Sequence, residues 1–446
     1  MSLNSEKCLK LMLYIIIIET ILGGAGRLLV VHNLSLRMLL YGITFILLLV
    51  NLFVKRKNGF IKHFTIELKI ISIFAVYLIF TAINGYVFSG NSLRQIIGDL
   101  TGYIGFAMIL IFAYILDTKI EIEFVFKLIS ICTIIQAVII LLLHYLLGMG
   151  LLEFNSLNNL LQSLYLGNLS YVANNSIRIF LKSSIYLQIG FIFVLDLILK
   201  AKTIKTKWVY TISLIVVGYA LILSFTRGFW ISTFLVLFAY FILNISKELM
   251  KTIGYLVIGL VIMFGISILV YGNSNILYST MLRTGVQLNN KVAIVKKDNK
   301  PIGNSSTDTK AVDLSVEYRS KLKNEMIIYI KKSPIIGNGF GVVLKEIGQT
   351  ESRCEYMFLD IFMEMGILGL FLYLSILISI FVKWIEIKVK IRGRMENNNL
   401  DAIILSLGGV ILTSYLNPFL NNPLGIIYLL FVICSINFYR KEYIND

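Results

Sequence analysis

Apolar runs of about 20 residues recur from one end of the chain to the other, each long enough to cross a hydrocarbon core of about 30 Å as a helix. Their approximate bounds are 11–31, 38–54, 68–87, 96–116, 124–147, 180–199, 209–225, 229–245, 253–271, 356–382, 402–416 and 424–439. A backbone amide left unbonded in lipid is costly, so runs of this length fold as helices that satisfy their own hydrogen bonds. The expected fold is an all-α polytopic membrane protein with about 12 transmembrane helices. With 57% hydrophobic residues and 4 prolines in 446, neither a soluble enzyme nor a disordered chain fits.

A net charge of +16 would point to nucleic acid in a soluble protein, but here topology accounts for it and no nucleic-acid partner is expected. Every second connection is basic: Lys55, Arg56, Lys57 and Lys62; Lys119 and Lys127; Lys200, Lys202, Lys205 and Lys207; Lys247 and Lys251. The series continues with Lys383, Lys388, Lys390, Arg392 and Arg394 and ends with Arg440 and Lys441. Short cytoplasmic loops are enriched in Lys and Arg, so both termini are expected inside and the long polar interval 273–355, between the ninth and tenth spans, outside. The opposite connections hold Arg27, Arg37, Arg94, Arg178 and Arg227 with only Lys182 beside them, and no matching acid is evident. A planar guanidinium suits bidentate capture of phosphate, so these loops point to a phosphate-bearing ligand.

Cys8, Cys132, Cys354 and Cys434 show neither metal-ligand spacing nor a disulfide framework. His32, His63 and His144 share no spacing, although His32 and His144 fall near the outer ends of their spans. The first apolar run lacks a small-residue cleavage site and is followed at once by another span, so no cleavable signal peptide is expected. No internal repeat is evident, and the turn 414–423, SYLNPFLNNP, is rich in Asn and aromatics, a composition suited to sugar hydroxyls or to a hairpin.

Within 273–355, the segment 291–310 reads as a flexible surface excursion. Order is expected again from Val316 to Ile330, where Leu322, Met326 and Ile330 fall at helical spacing and Arg319 lies on the same face. The expectation is an interfacial amphipathic helix that carries a permanent cation on its greasy side. Upstream, Ser224–Gly228 reads S-F-T-R-G between two apolar runs. It places Arg227 at a membrane rim, with Gly228 allowing a tight turn or a close approach to a ligand and Trp230 as an interfacial anchor.

Four segments occur in one order: S-F-T-R-G; Arg319, fifteen residues before Pro334; S-P-I-I-G-N-G-F-G at 333–341; and E-Y-M-F-L-D-I-F-M-E-M-G-I-L-G-L, which ends at Leu370. Over about residues 205–385 this resembles the O-antigen ligase and polymerase superfamily. Its shared domain has an Arg-Gly step, a large extracytoplasmic loop, a P-hydrophobic-hydrophobic-G-x-G turn and an E-x-G-hydrophobic-hydrophobic-G span. The implied organisation is N-terminal spans over 1–204, a ligase/polymerase-like core over 205–385 with the outer loop 273–355, and C-terminal spans over 386–446.

The resemblance implies a bacterial cytoplasmic-membrane glycosyltransferase of O-antigen, capsule or exopolysaccharide biosynthesis. Its donor would be an undecaprenyl-diphosphate-linked oligosaccharide, and its acceptor a second such unit. A chain-length regulator and a flippase are implied as partners beside the lipid bilayer, with no cofactor and no metal. Arg227 and Arg319 match the two family arginines that bind the diphosphate, and Arg353, Arg178 and Arg94 are further candidates. Where ligases of the family carry a histidine, nine residues before Glu364, this chain has Glu355. A carboxylate there can act as general base on a sugar hydroxyl and favours polymerase over ligase. Gly337, Gly339 and Gly341 read either as an anion-binding nest or as the turn that ends the preceding helix, and Glu364 and Gly366 as packing and capping features. The alternatives are a ligase with another acceptor and, from another class, a lipid-linked oligosaccharide flippase or an anion transporter.

Overall fold

The computed structural model describes residues 2–24, 30–31, 34–55, 65–172, 176–271, 306–390 and 399–444. Arg27, His32, His63, Arg392, Arg394 and the stretch 273–305 of the long polar interval therefore lie outside the described residues. The chain is an all-α multi-pass membrane protein. Among the described residues, eight helices are long and apolar enough to cross a bilayer, and Arg227–Leu243 and Leu400–Ser414 are shorter apolar helices. In order the helices are α1 (Ser2–Leu22), α2 (Leu36–Lys55), α3 (Thr65–Ile83), α4 (Leu93–Tyr103), α5 (Ile109–Ile115), α6 (Lys119–Gly148), α7 (Phe154–Ser163) and α8 (Ile185–Lys200). They continue with α9 (Ile204–Leu223), α10 (Arg227–Leu243), α11 (Lys247–Tyr271), α12 (Ser306–Lys332), α13 (Met357–Lys390), α14 (Leu400–Ser414) and α15 (Pro423–Ile444).

Each apolar run of the sequence contains a helix, with boundaries that shift by several residues in places and with the run 96–116 divided between α4 and α5. The run 11–31 is helical from Ser2 to Leu22, and the run 180–199 begins as strand before α8 starts at Ile185. Two compact units are present, one of residues 1–20, 30–128 and 319–446, the other of residues 21–29 and 129–318.

In the second unit α8 is buried along nearly its whole length. Its Asp196 is kept in that apolar setting by Lys200 at 2.5 Å and by the Tyr240 hydroxyl of α10, which donates at 2.7 Å, because a buried charge persists only when paired and hydrogen-bonded. The two-residue strands β1 (Val30–Val31) and β2 (Leu34–Ser35) pair ahead of α2 in the first unit, while between α6 and α8, in the second, the chain forms α7 and an antiparallel hairpin of β3 (Gly167–Val172) and β4 (Ser176–Leu181). Its register pairs Asn168 with Phe180 and Ser170 with Arg178. The alternation of Ile177 and Ile179, buried, with Arg178 and Phe180, half-buried, is the period-two pattern of a one-sided strand.

In the first unit α13 is flanked by α3 and α15. Lys383 of α13 pairs with the fully buried Glu67 of α3 and donates to Asn437 Oδ1 of α15 at 2.6 Å. The same helix breaks at Gly366, whose φ of 64° and ψ of −171° belong to a region that only glycine visits readily. A break leaves carbonyls and amides unbonded inside the membrane, and the glycine-rich segment 333–341 bonds to them. Asn338 and Gly339 donate their N–H groups to Met363 O and Glu364 O, and Ile367 and Leu368 donate theirs to Pro334 O and Ile335 O. Tyr77 of α3 adds its hydroxyl to Met365 O at 2.7 Å. Non-helical backbone within a span is tolerated where protein satisfies it in this way.

The amphipathic reading of 316–330 falls within α12. Leu322 and Met326 are 0% exposed and Ile330 is 9% exposed, packed on Val342, Leu344, Cys354 and Met363. Burying each of these side chains contributes about 1.5–3 kcal/mol, enough to fix which face of α12 turns inward.

Candidate active site

Arg319 stands three residues before Leu322 on the packed face of α12, so burial of that face aims its guanidinium along the unit rather than into open solvent. Its Nε donates to Glu355 Oε2 at 2.7 Å, both side chains being about 40% exposed (39% and 41%). Glu355 lies at the end of the strap that leads into α13, just before its first residue, Met357. Tyr356, next in the chain, packs on the cluster beneath α12, and its ring meets that of Tyr415 edge to face, with centroids 6.3 Å apart and planes at 81°. Burial pushes the Tyr356 phenol up from its ordinary value; the Arg319 cation opposes this shift, and Glu355 and Tyr415 reinforce it. A cation, a carboxylate and two phenols therefore share one electrostatic neighbourhood.

The strap 352–355 is anchored through Asp99, a buried carboxylate of α4. One of its oxygens accepts from the Ser352 hydroxyl at 2.7 Å, the other from the Gly341 N–H at 2.9 Å. Arg353 bends over the same helix: its Nη2 donates to Gly98 O at 2.7 Å, and its Nε is 3.9 Å from Asp99 Oδ1. Gly102 leaves room for this, since a Cβ there would stand 3.1 Å from Arg353 Nη2 and 2.7 Å from Asn421 O. Below the strap, Cys354 is buried, and burial together with the acidic groups of Asp360 and Glu364 pushes its thiol far up. It is a packed small hydrophobe rather than a nucleophile.

Gly337, Gly339 and Gly341 all adopt positive φ, at 78°, 77° and 87°. The N–H groups of residues 337 to 341 go in turn to Ser333 O, Met363 O, Glu364 O, Thr81 O and Asp99 Oδ2. No donor of that run is left for an anion, so the three glycines make a turn and not a nest. A cleft lined by Phe80, Phe88, Ile336 and Asn338 adjoins it.

In the second unit the S-F-T-R-G step is the sharp turn from α9 into α10. The left-handed position is Phe225, at φ 45°, whereas Gly228 sits in the first turn of α10. The reading of Gly228 as the tight-turn residue is thereby corrected: helix α10 starts at Arg227, and the reversal precedes it. Arg178 holds the turn from β4, its Nε donating to Ser224 O at 2.8 Å and its Nη2 to Thr226 Oγ1 at 3.1 Å. Trp230 closes it from the other side through Nε1 to Leu221 O at 3.0 Å. Arg227 is half-buried at the first position of α10.

Comparison with known proteins bears on this arrangement. Residues 212–374 match the family described as O-antigen ligase. An O-antigen polymerase of Shigella flexneri is 26% identical over 434 residues, covering 94% of this chain and 92% of that protein. Over residues 212–374 the chain is thus similar to the O-antigen ligase family, and over most of its length to an O-antigen polymerase. Both likenesses are to proteins named for O-antigen ligation or polymerisation.

The segment that matches the superfamily contains Arg227, Arg319, the glycine turn, Arg353, Glu355 and Glu364, whereas Asp99, Arg94, Arg178 and Tyr415 lie outside it. Arg319, Arg353 and Glu355 occur together in the first unit; Arg227 and Arg178 occur together in the second. Arg94 is exposed on the first turn of α4. The expectation of loop arginines without matching acid is corrected at Arg37, which is buried against Glu19 at 2.8 Å; Arg319 and Arg353, in the long polar interval, also have acids beside them, Glu355 and Asp99. A guanidinium beside an apolar phase is costly unless paired, and these acids lie far off in sequence. Asp99, Tyr356 and Tyr415 escaped the sequence reading. An acid near the start of an apolar span is the available signal for Asp99; Tyr415 lies in the Asn- and aromatic-rich turn 414–423, whose composition suits sugar hydroxyls, but only the fold brings it beside Tyr356.

Proposed function

We propose that this protein is a glycosyltransferase of the bacterial cytoplasmic membrane that polymerises undecaprenyl-diphosphate-linked oligosaccharide repeat units on the outer face, without a metal. Arg319 grips the donor diphosphate, and Arg227, on its own preshaped turn, is given the same task. Glu355 takes the proton from the acceptor hydroxyl as that oxygen attacks the anomeric carbon; the bond from this carbon to the phosphate oxygen breaks, and the polyprenyl diphosphate leaves with its charge met by guanidinium. Polymerase is favoured over ligase because the position nine residues before Glu364 holds a carboxylate. A flippase supplying the donor and a chain-length regulator belong to the same reading.

The observation that carries this is the 2.7 Å contact between Arg319 and Glu355: a permanent cation for the leaving group and a base for the nucleophile stand within one hydrogen bond of each other. Purified protein incubated with a polyprenyl-diphosphate oligosaccharide is expected to give a ladder of products. Arg319→Ala and Arg227→Ala, present in the membrane at normal levels, are each expected to give none, and the Lys variants little, because a point charge replaces a fork. Single-addition products would instead make it a ligase. Absence of product with transbilayer movement of the lipid would make it a flippase, and full ladders from both Ala variants would end the clamp assignment.

A further inference from the structure

Beside the Arg319–Glu355 pair stands an aromatic corner to which no role has yet been given. Tyr356 is half-buried on the cluster under α12, and Tyr415, 55% exposed, closes the end of α14. Their planes meet at 81°, so they form two walls of a corner rather than a stack. Tyr356 is next to Glu355 in the chain and within the field of both Glu355 and Arg319. A pyranose ring has an apolar C–H face and a rim of hydroxyls. Tyrosine faces suit the first, while phenol oxygens and a carboxylate, an acceptor with two oxygens, suit the second. An acyl or polyprenyl chain would desolvate the charged pair and leave both phenols without partners.

We propose that Tyr356 and Tyr415 form a subsite for a single pyranose, the sugar of the acceptor glycan whose hydroxyl is to be deprotonated. This rests on the reading of Glu355 as the base, since the sugar must lie where that carboxylate can reach its hydroxyl. Tyr415 supplies the stacking face, and Tyr356 supplies the back wall and holds the strap. Neither exchanges a proton with substrate.

The test uses the full-length protein in detergent and, as probe, the repeat-unit oligosaccharide released by mild acid from the polyprenyl diphosphate of producing cells, so that no diphosphate or lipid contributes. Tyr415→Ala is expected to weaken probe binding and to raise the acceptor KM by about tenfold, the scale of one lost ring contact. Its kcat should fall less than its KM rises, and the donor KM should stay put. Tyr415→Phe, which keeps the ring, is expected to retain most of the affinity. Unchanged probe binding in Tyr415→Ala overturns the subsite, as does a rise in donor KM instead, the mark of a lipid contact. Glu355→Gln separates the two readings. Retained probe binding with lost turnover supports both; full turnover in Glu355→Gln together with weakened binding in Tyr415→Ala removes the base and leaves the subsite.

Discussion

At the scale of single residues, Glu355 meets two demands at once. Its carboxylate is bonded to Arg319 Nε at 2.7 Å, and an ion pair of this exposure contributes about 0.2–1 kcal/mol, little enough for a diphosphate to displace it. Under the proposed mechanism, donor binding releases the carboxylate at the moment a base is needed. Glu355→Gln is therefore expected to lower kcat by about 100-fold or more, the usual share of general-base catalysis, while the donor KM stays level or falls because Arg319 has lost its competitor. Steady-state kinetics with donor and acceptor varied separately measure both. A donor KM that rises along with the fall in kcat would put Glu355 in ground-state binding instead. Arg353 contrasts with Arg319: its fork is docked on Gly98 O and stands by Asp99, which makes it a fastener of the strap.

At the scale of elements, the P-I-I-G-N-G turn and the E-M-G-I-L-G span are two halves of one joint. Gly366 and Gly337 face each other so closely that a Cβ on Gly366 would stand 2.2 Å from Ile335 O, and one on Gly337 2.2 Å from Glu364 O. Gly366→Ala combines this clash with a backbone strain of about 1–3 kcal/mol, and a fall in melting temperature in detergent is expected together with loss of product. Gly348→Ala is the comparison. It also has positive φ, at 76°, but nothing lies within 4 Å of its Cβ, so only the strain remains and the melting point should move less. Equal shifts in the two variants would mean that the close packing of the joint carries no energy. The presence of helices was legible in the sequence because apolar length dictates them, and α12 was legible because Leu322, Met326 and Ile330 repeat at its pitch. The joint was not, since hydrogen bonds between residues 338 and 363 leave no periodic trace. Nor was the β3–β4 hairpin, whose alternating residues directly adjoin an apolar run.

At the scale of the whole molecule, buried charges tie together spans that are distant in sequence. Lys383, Glu67 and Asn437 bring three helices to one point. Removing one partner of a buried pair leaves the other uncompensated at a cost of about 3–5 kcal/mol. Lys383→Met is thus expected to lower the yield of folded protein and its melting temperature, and Lys383→Met combined with Glu67→Leu to recover much of both. Failure of the double variant to improve on the single would show that the pair does more than neutralise itself. Of the candidate site, Arg227, Arg319 and Glu355 could be named from the chain, because the motifs around them resemble those of the O-antigen ligase and polymerase superfamily. The acidic partners of Arg353 and Arg37 could not, since Asp99 and Glu19 come from spans that read as generic membrane sequence. The joint at Gly366 has one more consequence, for recombination between relatives. Residues 333–341 and 357–370 are separate in the gene but one piece in space, so a chimera that inherits them from different parents is expected to misassemble, while one that exchanges them together should survive.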